Sequence, residues 1–361
     1  MGVQTADPWK RLLSSLVSML VLTIISYFAT TILPSLFDNT GSISSKFSSY
    51  ESQLLACQIK PSSIDVRMRD VGGLDEIKKD IELGLILPLQ HPKLFFAGNK
   101  CMAPSRGMLF VGAPGTGKTM LAKAIAKECN VQFLSLTLAT LENKYFGESS
   151  KILAAAFSLA RKIQPCILFF DEIDGMMKKR TSEDQACTYS FKTEFLTQMD
   201  GMSSNCSDAI VVIGSTNNSR VLDDALKRRL PKVYHIGLPA ASERLAILNL
   251  CMRDEAPSHP RLVSPAHDWI AEATDKMSGS DLQEIYRAAA SARLTSQLQY
   301  DEFREALSFG CIDDKLRAIS DDEWRHAIQK MQTSRVVANS AYCEDKSDFK
   351  ELLKKLVDPP S

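Results

Sequence analysis

The sequence lacks a net charge, a paired-cysteine spacing and a His-Glu-x-x-His helix, and each absence closes off a class of function. Its 43 lysines and arginines balance 43 aspartates and glutamates, so no global basic field points to nucleic acid. The nine cysteines include no Cys-x-x-Cys pair. Their odd number and scatter, at positions such as Cys57, Cys101, Cys129, Cys166 and Cys251, form neither a disulfide framework nor a zinc site. They read as reduced, partly buried thiols in a reducing compartment. Without His-Glu-x-x-His there is no zinc protease module. Composition is otherwise that of a globular protein, 45% hydrophobic and 24% charged. A chain of 361 residues has room for a membrane segment and roughly two compact domains.

The strongest signal that is present lies at residues 106–119. Met108 to Val111 has strand character and feeds Gly112-Ala113-Pro114-Gly115-Thr116-Gly117-Lys118-Thr119, which fits G-x-x-x-x-G-K-[ST] at every fixed position. Met120 to Cys129 then reads as a helix. That strand–loop–helix context separates a phosphate-binding loop from a chance glycine-rich turn. The glycines let backbone N–H groups wrap phosphates, and the helix N-terminus adds partial positive charge. Lys118 would reach the outer phosphates and Thr119 would offer its hydroxyl to magnesium. About fifty residues further on, Cys166 to Asp174 reads as a buried parallel strand ending in acids, where open α/β sheets place their ligands. Asp171 is the candidate magnesium holder and Glu172 the candidate general base for an attacking water.

Other signals leave alternatives. Ala209 to Thr216 is an apolar strand ending in Asn217, which either orients the same water or forms an Asn-Asn turn. Leu222 to Pro231 is a short helix closing on Arg228 and Arg229, which either complement its dipole or reach a neighbour's γ-phosphate. Lys144-Tyr145-Phe146-Gly147 is either a hydrophobic staple at a helix start or an exposed aromatic paddle gripping an extended polypeptide. Asp70 to Leu74 reads as a turn, followed by a helix with Leu74, Ile77, Ile81 and Leu85 on one face, broken by Pro88, His91 and Pro92. From Pro239 the pattern is helical. Ser242 to Met252 is capped by Ser242, and Trp269 to Met277 follows. A helix capped by Ser280-Asp281 carries Leu282, Ile285, Ala289 and Leu294 at helical spacing, and another opens at Asp321 with Trp324, Ile328 and Met331 on one face. Residues 298–320 read as a surface connection and Phe349 to Val357 as a final helix. Gly279 either lets the backbone approach an adenine or merely precedes a cap.

Ahead of all this, Leu12 to Leu33 carries no charged residue. As a helix it spans roughly 33 Å, enough to cross a hydrocarbon core. Trp9, Lys10 and Arg11 flank one end and Pro34 the other, as at a membrane interface. The run is too long for a signal peptide, and it lacks both a small-residue cleavage site and the polar stripe of a buried helix. It is expected to be a transmembrane helix after a short tail, 1–11, and before a stalk, 34–65. The flanking positive charges would place the N-terminus in the cytosol, yet the domain after the helix needs nucleotide. Either it faces a matrix-like compartment, or the membrane is one where the charge rule is weak, and the second, an outer organelle surface with this domain in the cytosol, is the one expected.

Taken in this order and spacing, Gly112 to Thr119, Asp171-Glu172, Asn217 and Arg228-Arg229 resemble the AAA ATPases. Asn143 to Ser149, Asp171 to Asp174, Arg228 to Ile236 and Met277 to Leu282 look more narrowly like the Thorase-type family, membrane-anchored AAA proteins of the mitochondrial outer membrane and peroxisome. The resemblance covers roughly residues 60–335, and the anchor by position only. It implies an α/β P-loop AAA+ parallel-sheet domain at 66–238, a small helical lid at 239–335, and a C-terminal helix and tail at 336–361. It also implies a homohexamer that hydrolyses ATP with Mg2+ and threads mislocalised tail-anchored proteins out of the lipid bilayer, with no nucleic acid involved. Lys144 to Gly147 would be the pore loop, Arg180 to Cys187 a second one, and Asp200-Gly201 would lie near a segment signalling between subunits. Gly72 and Met120 would join the phosphate loop and Gly279 in holding nucleotide. Two departures touch substrate grip rather than chemistry: Asn217 is followed by Asn218-Ser219 instead of Arg-Pro, and the usual Trp-Tyr is Tyr145-Phe146. A microtubule-severing ATPase of the katanin or spastin type is the rival in the same fold. It would need a microtubule-binding region and a helical module, and fewer than seventy residues precede Asp70. A nucleotide-binding scaffold without turnover is the other rival, and Glu172 with the paired arginines argues against it.

Overall fold

The computed structural model describes residues 47–90, 105–141, 148–177, 184–204, 209–218, 220, 222–253, 255, 261–299 and 316–340. Two compact units divide between Ala56 and Cys57. In the first, helix α1 (Ser49–Leu54) starts with a capping box: Ser48 Oγ accepts from the Glu51 N–H, and the Glu51 carboxylate accepts from the Ser48 N–H at 2.6 Å. The expected membrane helix at 12–33 lies outside the described residues. Among those described, no helix is long and apolar enough to cross a membrane.

The second unit is built on a six-stranded sheet. In chain order it contains β1 (Gln58–Ile59), α2 (Asp75–Ile81), α3 (Leu87–Gln90), β2 (Gly107–Val111), α4 (Lys118–Cys129), β3 (Gln132–Leu136), α5 (Leu138–Leu141), α6 (Glu148–Ile163) and β4 (Cys166–Phe170). There follow α7 (Ile173–Met177), α8 (Asp184–Ser204), β5 (Ile210–Thr216), α9 (Asp224–Arg229) and β6 (Lys232–His235). The helices α10 (Ala241–Cys251), α11 (Asp268–Ala273), α12 (Gly279–Gln297) and α13 (Asp321–Ser340) complete it. Strand order is β1-β3-β4-β5-β2-β6, with every pair parallel except β1 against β3. The central parallel strands β2, β4 and β5 are buried throughout because both sheet faces are covered there. On one face Ile81, Leu85, Leu121 and Ile125 pack on Phe110, Phe133 and Phe169. On the other, Phe157 of α6 and Phe195 of α8 meet Phe170 at ring separations of 6.2 and 5.2 Å. The last four helices enclose a core of their own around Leu248, Ile270, Leu282, Ile285 and Trp324.

Several expectations change. The stalk does not run to residue 65: Gln58 and Ile59 pair with Leu134 and Phe133, and Ile64 is buried in the sheet core. Pro88 does not break the first helix. A π-helical turn, Glu82–Ile86, precedes it, and that wider turn gives a proline lacking its N–H room to continue into α3. The cap of α10 is Ala240, whose N–H is held by Glu243 Oε2 at 2.8 Å, and not Ser242. The second lid helix stops at Ala273, where the Thr274 hydroxyl turns back on the Ile270 carbonyl at 2.7 Å. Ser278, not Ser280, caps α12. Leu294 is exposed, and the inward position is Arg293, paired with Glu255 at 2.9 Å where both side chains are 7% exposed. Helical spacing from Ala289 reaches 293, at i+4, and turns 294 off that face, and a buried partner lets the guanidinium occupy the inward position. Residues 300–315 and the final helix at 349–357 lie outside the described residues, as do most of the expected surface connection and 178–183 of the second expected pore loop. Asp184 to Cys187 open α8 and are helical rather than loop.

The edge strand β6 is tied to α2 by a polar pair. The Tyr234 hydroxyl donates to Asp80 Oδ2 at 2.6 Å and Lys232 reaches the same oxygen at 3.2 Å. That phenol bond first, then the Lys232 ammonium, holds the Asp80 carboxyl below its ordinary value despite some burial. A depressed carboxylate contributes stability above its unfolded pKa and loses it as pH falls through the folded value. Tyr234→Phe is therefore expected to cost about 1 kcal/mol near neutral pH. The gap from the wild type should narrow below about pH 4. Urea unfolding at the two pH values checks this, and a gap that widens on acidification contradicts it.

Candidate nucleotide site

Sheet register brings the expected site together. Val111 pairs with Thr216 and Phe170 with Gly214, so β2 and β5 end side by side and β4 ends two residues earlier on the same edge. Gly112, Asp171 and Asn217 follow those strands directly, at the carboxyl edge where parallel sheets bind ligands. The loop from Gly112 turns through Gly115 and Gly117, with φ of +75° and +93°, and enters α4 at Lys118 with its first N–H groups facing the turn.

A cavity of 560 Å³ opens at this edge. Pro114 to Met120, Asp171, Glu172, Asn217, Gly72 and Gly279 all line it. Gly112 and Ala113 stand behind, their carbonyls accepting from Lys118 Nζ at 2.9 Å each. A third bond of 2.9 Å runs from the same ammonium to Asn217 Oδ1. Burial pulls Lys118 below the ordinary lysine range, and the carboxylates of Asp171, Glu172 and Asp174 oppose that shift. Thr119 Oγ1 donates to Asp171 Oδ2 at 2.9 Å. A hydroxyl and a carboxylate meeting beside an ammonium suit a hydrated magnesium on a polyphosphate, which uses few protein oxygens. Among the described residues no three His, Cys, Asp or Glu side chains form a closed metal cage, as that mode of binding requires none. Glu172 is exposed at the cavity edge with φ +52°, a backbone region that non-glycine residues occupy at a cost of about 1–2 kcal/mol.

The lid meets the loop at its N-terminal turn. The Ser280 N–H donates to the Gly115 carbonyl at 3.2 Å, and a Cβ on Gly279 would sit 3.3 Å from that oxygen. Gly279 is the first residue of the helix that Ser278 caps, and the backbone it brings close is that of the phosphate loop. On the opposite wall Gly72 lies against α10, where a Cβ would meet Ile247 Cγ1 at 2.5 Å. Glu243 Oε1 accepts from the Leu74 N–H at 2.9 Å, and Arg253 pairs with Asp70. Burial alone would raise the Asp70 carboxyl, but the Arg253 hydrogen bond and charge, with the Arg67 N–H, bring it below its ordinary value.

Arg228 and Arg229 do not line the cavity. Arg228 is exposed, and Arg229 forms a two-point pair with Asp200 at 3.0 and 2.9 Å. Lys144 to Gly147 lie outside the described residues. Sequence reading missed Asp70, Ile247, Leu250, Cys251, Arg253 and Gln283 on the cavity wall, and also Ser215, beneath the acids. The wall residues come from three parts of the chain, the turn ending at Asp70, the α10 region and α12, and none carries a motif. Among the described residues Cys57, Cys129, Cys166 and Cys251 are unbridged, with Cys129 and Cys166 buried. Burial raises Cys129 and Cys166 to about 12.

A side chain at Gly115 would strain a left-handed backbone and approach Ser278 Oγ to 2.8 Å. With a conformational cost of about 1–2 kcal/mol, Gly115→Ala is expected to weaken ATP binding roughly tenfold while the protein remains folded. Titration with a fluorescent ATP analogue measures it, and an unchanged dissociation constant contradicts the loop–lid contact.

Residues 108–238 match the family described as ATPase family associated with various cellular activities (AAA). The chain is 37% identical over 300 residues to the Homo sapiens outer mitochondrial transmembrane helix translocase, covering 81% of this chain and 78% of that protein. It is also similar to the solved FIGL-1 AAA domain, at 27% identity and a TM-score of 0.64, with 82% of this chain and 95% of that one covered. The same domain in complex with ADP gives 29% and 0.59, covering 78% and 91%. The chain belongs to the AAA ATPases, within the family of the outer mitochondrial transmembrane helix translocases.

Proposed function

We infer that this protein uses ATP hydrolysis to pull mislocalised tail-anchored proteins out of a membrane, acting as a homohexamer anchored by 12–33 with its ATPase domain in the cytosol. The observation that carries the reading is the convergence of Lys118, Thr119, Asp171 and Asn217 at one sheet edge, in a chain whose relatives are named as outer mitochondrial transmembrane helix translocases. Those names favour the mitochondrial outer membrane over the peroxisome, and they set aside microtubule severing.

In this reading the loop N–H groups and the start of α4 hold the phosphates. Lys118, now folded onto Gly112, Ala113 and Asn217, turns its ammonium to the outer phosphates. Thr119 and Asp171 hold Mg2+, which neutralises charge on the phosphate oxygens when bound. Glu172 takes the proton of the attacking water, and Asn217 orients that water. Gly72, Met120 and Gly279 border the base and sugar. Arg228 and Arg229 act on the neighbouring subunit's γ-phosphate, which is why they face away from their own cavity. In the isolated chain Asp200 holds Arg229, and that pair would open for the guanidinium to reach the neighbour. Lys144 to Gly147 present Tyr145 and Phe146 to the client in the pore. Tethering keeps the ring at the membrane and raises the effective concentration of clients.

Glu172→Gln is expected to bind ATP as tightly as the wild type and to lose turnover by at least a hundredfold. Phosphate release and nucleotide retention measure the two halves, and turnover near the wild-type rate removes Glu172 as the base. Tyr145→Ala combined with Phe146→Ala should keep ATP hydrolysis and lose extraction of a tail-anchored client from liposomes. Extraction at the full rate by this pair removes the pore-loop assignment.

A further inference from the structure

The acids at the end of β4 are held by a residue that lies in none of the phosphate-binding motifs. Ser215 is the penultimate residue of β5 and is fully buried. Because Phe170 pairs with Gly214, Asp171 leaves the sheet level with Ser215. The Ser215 hydroxyl donates to Asp171 Oδ1 and accepts from the Glu172 N–H at 3.2 Å. One oxygen therefore contacts both acids. With Oδ1 of Asp171 occupied, Oδ2 is the oxygen left facing Thr119 at 2.9 Å. The Glu172 amide it holds belongs to the residue with φ +52°. A non-glycine backbone persists there only where its surroundings over-determine it. The next residue repeats the pattern: Thr216 Oγ1 donates to Asp174 Oδ1 at 2.8 Å and accepts from the Asn218 N–H at 3.0 Å. The end of β5 thus reaches across to the end of β4 through two consecutive hydroxyls.

We propose that Ser215 is a positioning residue for ATP hydrolysis, aiming the Asp171 carboxylate and fixing the left-handed backbone that presents Glu172 to the cavity. It acts through these two acids without touching nucleotide, and the proposal rests on hydrolysis occurring at this site. Removing the hydroxyl leaves Asp171 held by Thr119 alone and Glu172 without the partner of its N–H. The loop, Lys118 and the lid contacts that bind nucleotide remain intact, so the loss falls on turnover and on the use of magnesium.

The test is Ser215→Ala in the full chain, assayed beside the wild type and Glu172→Gln. The kcat should fall roughly tenfold, the lower end for groups that orient a ligand, and the magnesium concentration for half-maximal rate should rise several-fold. KM for ATP, and the affinity for a fluorescent ATP analogue in the absence of magnesium, should stay within twofold. A kcat equal to the wild type's overturns the proposal. So does a parallel loss of kcat and magnesium-free nucleotide affinity, which would mark a packing role only. Absence of turnover in the wild type overturns the hydrolysis reading and this proposal with it, whereas a full rate in Ser215→Ala removes the Ser215 role alone.

Discussion

The bond from Thr119 to Asp171 joins two strands that are not neighbours in the sheet. Thr119 belongs to the helix that follows β2, Asp171 to the end of β4, and β5 lies between them. For the two oxygens to meet at 2.9 Å, three parallel strands must hold their register to a single residue. A slip of one residue in any pair would turn the end-of-strand side chains to the opposite face. The continuous apolar runs of β2, β4 and β5, buried on both faces, make that register hard to lose. The aromatic layer around Phe157, Phe170 and Phe195 adds a shape constraint on one side. Core packing and site chemistry are here one problem, because the same three strands supply both.

The second constraint is the clasp between the sheet domain and the lid. Two separate patches cross it. Gly115 meets Ser278 to Ser280 on the phosphate side, and Asp70 to Leu74 meets Glu243, Ile247 and Arg253 on the other. Most of these contacts are made by backbone or by small residues, so the cavity walls approach closely without large side chains filling the space. Glu243 has two jobs, one oxygen capping its own helix at Ala240 and the other holding Leu74. The same carboxylate thus ties the start of the lid to the turn before α2.

Much of the site was legible because its chemistry is local in sequence. The phosphate loop, Asp171-Glu172 and Asn217 each sit at the end of an apolar run, and strand ends at one sheet edge converge by topology. What was not legible depends on pairings between distant residues. Nothing near Ser215 marks it as a partner of Asp171, some forty residues earlier. Arg293 reads as a solvent-facing residue until Glu255 is placed beside it. Pro88 reads as a helix breaker, because a π turn leaves no mark in residue types. Ser278 and Ser280 are equivalent as candidate caps until Asp281 is seen to close the box with Ser278. In each case local propensity offered two states and a tertiary contact selected one.

The central claim is that a triphosphate is cradled at this sheet edge and split there. Steady-state phosphate release by the purified full-length protein in detergent, with Mg2+–ATP and again with the metal chelated, tests it most directly. Steady turnover that stops on chelation is the expected result. No release under any condition, or a rate indifferent to the metal, would contradict it.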